Sequence, residues 1–453
     1  MVTTIRQALA QVKDDLPGWI ETGVEAYLAQ HPELTVRRRQ LDPLTTVLLF
    51  IMQVLHGNTA ITHLRHLARM TCSATAYCKA RMRLPLALLQ YLAQRVTAPL
   101  LPEADHACDW RGHRVWYADG TSFSMPDTAA LQAHFGQPGG QASGCGFPVA
   151  TLLLLCNAAG FIVKTLALPL RTHEASQVAR LHDPLQDGDV LVYDRAACSY
   201  AHLALLAERG LHAIFRVHQK QIVNFRPGRR HAGQYPRGQR AGRPRSQWLK
   251  RLGHRDQRVR WFRPARRPQW MQQDEYDALP EALVVRELRY PIVRRGFRTR
   301  SVTLVTTLTD PQRYPAEALT EQYLKRWQIE VNIRHLKQTM GMDVLKCQTV
   351  DGVLKELAVF TLVYNLVRLV ISRAARRQGV PPDRISFVDA LRWLCQASYD
   401  PGRADQIIDL VVNPHRPGRV EPREVKRRPK PYKVMTSPRQ TLKQALASSR
   451  LTA

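Results

Sequence analysis

Two short apolar runs that each lead into an aspartate constrain this chain more than any other feature: RVWYAD (114–119) and DVLVYD (189–194). Runs of this length that are apolar on both sides read as strands covered on both faces of a sheet. They therefore call for a sheet between helical layers, and they set Asp119 and Asp194 where a strand leaves it. Their neighbours fit. PVATLLLLC (148–156) and FIVKTLAL (161–168) are joined by a tight connection at 157–160, a hairpin signal. Residues 174–182 read as a short helix, SYAHLALLAERG (199–210) as a helix stopped by glycine, and HAIFRVH (212–218) as a strand. The order β-β-β-α-β-α-β predicts an α/β (mixed α+β) fold with a mixed sheet.

Residues 218–300 break that pattern. They are rich in Arg, Gly, Pro and Gln, with Trp248, Trp261 and Trp270 interleaved, and they hold 22 Lys or Arg against 6 acids. The tail 411–453 holds 11 against 2. The two blocks carry 25 of the 29 excess positive charges that 66 Lys and Arg leave over 37 Asp and Glu. A basic excess this concentrated points to a polyanion, nucleic acid first, because each neutralised phosphate releases counterions. After the block, SVTLVTTL (301–308) resumes as a strand and a long helix reaches about residue 340, so the block reads as an insertion between a strand and the final helix.

At 453 residues the chain is long enough for two to four domains. Residues 1–100 read as helical, with apolar spacing over 43–55 and 84–95, and with SATAYCKARMRL (73–84) opening on a Ser73 cap. That last helix carries Lys79, Arg81 and Arg83 and reads equally as a DNA-contacting helix or a solvated face. LAVFTLVYNLVRLVIS (357–372) is short for a membrane span and is interrupted by Asn365 and Arg368, so it reads as a buried helix. Eight cysteines form no C-x-x-C pair and no zinc spacing, which fits a reducing compartment. MVTTIRQALAQVKDD at the start lacks an apolar export core. A cytoplasmic, nucleoid-associated protein without a membrane partner is expected.

The helix after 301–308 carries Tyr323, Arg326, Glu330 and Lys337, whose offsets place them within an arc of roughly 60° on one face. Arg326 and Glu330 alone would be an ordinary i,i+4 pair. With Asp119 and Asp194, Glu330 instead makes a three-carboxylate set of hard oxygen ligands, suited to Mg²⁺ or Mn²⁺. Two such ions about 4 Å apart promote in-line displacement at phosphorus. Arg326 and Lys337 would then meet DNA phosphates, Arg326 through its planar fork and Lys337 as a point charge, and Tyr323 would add a hydroxyl bond or a stacking surface.

In this order the motifs resemble the bacterial DDE transposases of the insertion-sequence-four family. YLKRWQIEVNIRHLK (323–337) matches that family's Y-x2-R-x3-E-x6-K signature at all four positions, and YADGTSFSMPDT and VLVYDRAACSY resemble its two aspartate segments. The resemblance implies a ribonuclease-H-like core with a β-rich insertion before the glutamate. It also implies cut-and-paste transposition, double-stranded DNA (transposon ends and target) as partner, and a homodimer in the DNA complex. The domains expected on that basis are a helical DNA-binding domain over 1–110, core over 111–217 and 301–375, a basic insertion over 218–300, and a helical and basic C-terminal region over 376–453. Two alternatives share these residues: a nuclease of the same core without strand transfer, and a DNA-binding protein without catalysis. Among other acids, Asp127 competes with Asp119, Asp187 and Asp189 read as turn residues, Asp310 as a helix cap, and Glu317 and Glu321 as first-turn acids.

Overall fold

The computed structural model describes residues 16–34, 40–68, 71–97, 110–229, 243–292, 301–396, 410–414 and 434–451. Among these, nine strands form one sheet: β1 (Val115–Ser124), β2 (Val149–Asn157), β3 (Ile162–Pro169), β4 (Val190–Tyr193), β5 (His212–Arg216), β6 (Arg245–Gly253), β7 (Asp256–Phe262), β8 (Ala282–Pro291) and β9 (Ser301–Thr306). Their order across the sheet is β3-β2-β1-β4-β5-β9-β8-β7-β6. β1, β2 and β3 are antiparallel neighbours, while β4 and β5 run parallel to β1. This is the mixed sheet that the β-β-β-α-β-α-β pattern calls for. The described part of the basic block adds to the same sheet: β9, which follows the block, pairs antiparallel with β5, and β8, β7 and β6 from the block follow it outward.

The helices are α1 (Leu16–Gln30), α2 (Pro43–Leu55), α3 (Ile61–Leu67), α4 (Ala74–Arg83), α5 (Leu86–Thr97), α6 (Ala129–Phe135), α7 (Tyr200–Glu208), α8 (Gln273–Ala278), α9 (Ala316–Lys325), α10 (Trp327–Arg334), α11 (Val350–Gln378), α12 (Phe387–Gln396) and α13 (Arg439–Leu451). Local chemistry sets many of their ends. Asp42 accepts from the Thr45 amide at 2.7 Å with Pro43 in the first turn of α2, and Ser73 accepts from Ala76 at 3.1 Å to open α4. Gly379, at φ 65°, ends α11.

Alternation along the strands divides the core into two layers. Val115, Tyr117, Leu154, Val190 and Val192 face α2, α5 and α11. Trp116, Ala118, Leu153, Leu191 and Tyr193 face α7. α11 has the length and apolarity of a membrane span, but most of it is buried inside the protein. The two polar residues in its apolar run explain why. Asn365 donates to the Ile162 carbonyl at 2.8 Å and accepts from its amide at 2.9 Å, acting as a surrogate strand for the β2–β3 hairpin, while Arg368 donates to the Ala159 carbonyl.

Three expectations are corrected. β1 does not stop at Asp119 but runs on to Ser124, because β2 pairs with it throughout and residues 343–345 bond both polar groups of Ser124. Residues 174–182 form no α-helix but two 3₁₀ turns, Glu174–Ser176 and Val178–Leu181. The long helix expected up to residue 340 is broken at Arg326 into α9 and α10 and ends in a π turn, His335–Thr339, closed by the Met340 amide on the His335 carbonyl. Most of the Pro- and Arg-rich end, 415–433, lies outside the described residues.

Arg286 on β8 ties the outer strands to the chain leading into α9. It is 1 % exposed, pairs with Asp256 through two nitrogens and donates to the Tyr314 carbonyl. Removing one partner of a buried pair strands the other. Arg286→Ala is expected to destabilise the protein by about 3–5 kcal/mol, read as a drop in the chemical denaturation midpoint. The double change Arg286→Met with Asp256→Leu is expected to recover most of that loss.

Candidate active site

The parallel register between β1 and β4 builds the site. Val115, Trp116 and Tyr117 lie opposite Val190, Leu191 and Val192, and carrying the register two residues further sets Asp119 beside Asp194. The β1–β4 ladder ends at Tyr117 and Val192, and β4 stops at Tyr193, so Asp194 is the first residue beyond its strand. Asp119 Oδ1 accepts from the Gly120 amide at 2.9 Å and Asp194 Oδ1 from Ala196 at 2.7 Å, which holds both side chains at this opening.

α9 and α10 bring the remaining groups. Tyr117 on β1 donates to Gln322 on α9 at 2.8 Å. Tyr314, just before α9, meets His113 Nε2 through its hydroxyl at 2.6 Å. So anchored, the break between α9 and α10 places Arg326 over the acids. Its Nη1 donates to Asp119 Oδ2 at 2.9 Å and its Nη2 to Glu330 Oε1 at 2.7 Å. The buried ring of Tyr323 lies 5.8 Å from the guanidinium. Lys337, carried off the helical column by the π turn, donates to the Ser122 carbonyl at 2.6 Å. Of the six expected residues, the structure therefore joins Asp119, Arg326 and Glu330 directly, sets Asp194 alongside and Tyr323 behind, and leaves Lys337 at the margin.

Sequence reasoning missed two further groups. Glu174, in the first 3₁₀ turn, approaches the same opening from the other face of the sheet: a Cβ on Gly120 would stand 2.5 Å from its Oε1. Burial raises its pKa above the ordinary carboxylate value, and Asp194 and Asp119 raise it further. Tyr193, the last residue of β4, is fully buried, and its hydroxyl has no hydrogen-bond partner among the described residues. Burial pushes that hydroxyl well up, with Glu174, Asp119 and Asp194 adding in that order. Glu174 stands in no motif and only the fold brings it to the acids; Tyr193 lies in the DVLVYD run beside Asp194, where it reads as one more apolar strand residue.

Asp119 is raised by burial, with Asp194 and Glu330 adding, against the opposing pull of Arg326 and the Gly120 amide. Burial alone would lower Arg326, but Asp119, Tyr323 and Glu330 outweigh it and hold the guanidinium above its ordinary value. The acids are thus short of positive charge. As the side chains lie, no three His, Cys, Asp or Glu among the described residues are gathered to hold a metal ion, and the guanidinium is the cation between Asp119 and Glu330. An all-oxygen donor set that collects the one cation within reach fits hard divalent ions such as Mg²⁺ or Mn²⁺.

The other candidates have structural partners. Asp189 is buried, taking a two-nitrogen bond from Arg114 and another from the Trp116 indole. Asp310 accepts from the amides of Gln312 and Arg313 in the turn before α9. Asp127 binds Gln132 and Arg195 binds Gln219. Trp261 is buried, donating its indole N–H to Glu287, and Trp270 stacks on His202 at 4.9 Å, so both are packing anchors. Arg81 on α4 lies 4.2 Å over the Phe50 ring and bonds Gln53, which turns it inward, while Lys79 and Arg83 remain exposed.

The family described as "Transposase DDE domain" matches residues 110–366. The chain is 25% identical over 384 residues to the transposase InsG for insertion sequence element IS4 of Escherichia coli (strain K12), covering 81% of this chain and 79% of that protein. Among solved structures it is similar to the piggyBac transposase synaptic complex with hairpin DNA, with a TM-score of 0.41 and 10% identity over 91% of this chain and 85% of that one.

Arg326→Ala leaves Asp119 and Glu330 facing each other without a counter-ion. It is expected to lower stability at pH 7 by about 1–2 kcal/mol, a partly exposed pair giving less than a buried one. Asp119 already titrates above its ordinary value, and an acid raised in the folded state costs stability when ionised. The loss should therefore shrink as pH falls toward 4 and the carboxylates take up protons, as measured by urea unfolding across that range.

Proposed function

Because the chain belongs to the DDE transposase family and is a DNA transposase, we propose that it moves an element of the insertion-sequence-four kind by cut-and-paste, with Asp119, Asp194 and Glu330 as its catalytic carboxylates. The observation that carries this reading is the Arg326 fork, which spans Asp119 and Glu330 across 207 and 4 residues of chain while Asp194 flanks them. A surface ladder on one helix would account for the Glu330 bond alone. It gives no reason for a strand aspartate to share the same guanidinium.

The family is generally dependent on divalent metal. Asp119, Asp194 and Glu330 are the residues that would hold Mg²⁺ or Mn²⁺, in this reading two ions. When bound, they supply positive charge to the attacking and leaving oxygens of an in-line displacement at phosphorus. The chain's own residues do the rest. The β1–β4 register fixes the two aspartates with little side-chain freedom left to lose. Arg326 neutralises Asp119 and Glu330 while the site is at rest, and its fork matches a DNA phosphate equally well. Lys337 adds a point charge beside Ser122. Tyr323 backs the guanidinium and limits where it can swing.

Double-stranded DNA, as element ends and as target, is the substrate, and the net charge of +29 favours its capture. The outer strands present exposed Arg245, Lys250, Arg251 and Arg260 for phosphate contacts. Two copies of the chain would each serve one element end. On this reading residues 1–110 and the basic tail grip DNA on either side of the core, and the protein works in the cytoplasm on the nucleoid.

Asp119→Asn, Asp194→Asn and Glu330→Gln are each expected to bring cleavage of end-bearing DNA below detection while leaving binding intact in a gel-shift assay; a variant that still cuts removes that residue from the set. Affinity should fall about 10³-fold or more between 50 and 200 mM salt if six or more phosphates are contacted. A flat response would count against the basic strands. Joining of precut ends to a target plasmid separates a transposase from a nuclease on the same core.

A further inference from the structure

We propose that Glu174 is a fourth carboxylate of the divalent-metal site, entering it from the opposite face of the sheet through the gap left by Gly120. The inference rests on the three-carboxylate reading above and extends it to a residue that belongs to none of the three motifs.

Side-chain parity along the strands separates the two sides of the site. Asp119 and Asp194 share the parity of Tyr117 and Val192, the face that packs beneath α9 and α11. Gly120 and Tyr193 share the parity of Ala118 and Leu191, the other face. Glu174 comes from that other face, after β3 has ended at Pro169. It reaches the opening only because Gly120 has no side chain: a Cβ there would lie 2.5 Å from Glu174 Oε1 and 3.1 Å from Leu153 Cδ2. The φ of Gly120 is not in the left-handed range. Backbone conformation therefore does not require glycine at this position, and the close approach of the carboxylate does.

The carboxylate of Glu174 is half-buried, and among the described residues none makes an ion pair or a side-chain hydrogen bond with it. Its strongest charged neighbours are Asp194 and Asp119, both of its own sign. An acid held in that setting destabilises the fold unless a cation comes to it. A second observation points the same way. The Tyr193 hydroxyl is fully buried and has no hydrogen-bond partner among the described residues. A buried hydroxyl is ordinarily bonded. On this proposal it donates to Glu174 once that carboxylate turns its other oxygen to an ion, the way an outer hydroxyl fixes a ligating acid. Asp119, Asp194, Glu174 and Glu330 bring four negative charges to the opening and Arg326 one positive. That deficit suits a pair of divalent ions better than a single one.

The test uses the full-length protein and Mn²⁺ as probe, with binding followed by electron paramagnetic resonance and, separately, by the rise in thermal midpoint on adding the ion. Glu174→Gln is expected to weaken Mn²⁺ binding about tenfold or more. Without metal, the same variant should melt no lower than the parent, because it loses an unpaired charge; a residue with a merely structural role would melt lower. Gly120→Ala, which keeps the acid but fills its gap, should weaken Mn²⁺ binding as well. Asp119→Asn is the reference. If Asp119→Asn loses Mn²⁺ while folded Glu174→Gln and Gly120→Ala bind it as the parent does, Glu174 is no ligand and the proposal falls with the three-carboxylate reading intact. If Asp119→Asn also binds Mn²⁺ normally, the reading itself fails and takes this inference with it.

Discussion

Two carboxylates fixed on adjacent strands of a rigid sheet repel each other, and the surroundings of Asp119 and Asp194 are organised around that repulsion. The register of β1 against β4 leaves them little room to move apart. Relief has to come from a cation carried by another element, and Arg326 is that cation. It can serve only if the α9–α10 break is held to within a hydrogen bond's tolerance. Three contacts far apart in sequence hold it: Tyr117 to Gln322, His113 to Tyr314, and Arg286 to the Tyr314 carbonyl. The last of these originates on β8, in the basic block. The outer strands are thus part of what aims the glutamate-bearing helix, whatever else they touch.

What was legible in the sequence was what short-range chemistry decides. The strands around RVWYAD and DVLVYD, the 157–160 hairpin, the helix over 43–55, the helix capped by Ser73, and the burial of the apolar helix all follow from patterns within a dozen residues. Asn365 and Arg368 were visible as interruptions, but their use, satisfying the edge of a hairpin two hundred residues away, was not. The extension of β1 past Asp119 was hidden because GTSFS has no strand pattern of its own and is extended by its partners on both sides. The break at Arg326 left no mark in the helical spacing, and neither did the bond from its guanidinium to Asp119.

The site was read in part for the same cause. Motif spacing identifies residues that recur at fixed offsets, and Asp119, Asp194, Arg326 and Glu330 do. Glu174 gains its meaning from a missing Cβ on another strand and leaves no mark in the linear pattern, while Tyr193 was visible only as a strand residue, not as an unpaired hydroxyl. The tryptophans of the basic block are not decided by their surroundings either: the indole of Trp261 is spent on Glu287 inside the core.

The unbroken hydrogen bonding from β1 to β7 has a geometric corollary. Neighbouring strands in a sheet turn by about 20–25° in a constant sense. Four steps separate β4 from β7, so the two directions differ by roughly a right angle. A straight rod lying along the carboxylates would cross the arginine-bearing strands nearly side-on instead of running with them. A duplex that follows both surfaces must bend, or must meet the second one as a separate segment passing overhead. The sheet's own handedness would then govern the path of the nucleic acid before any base is read.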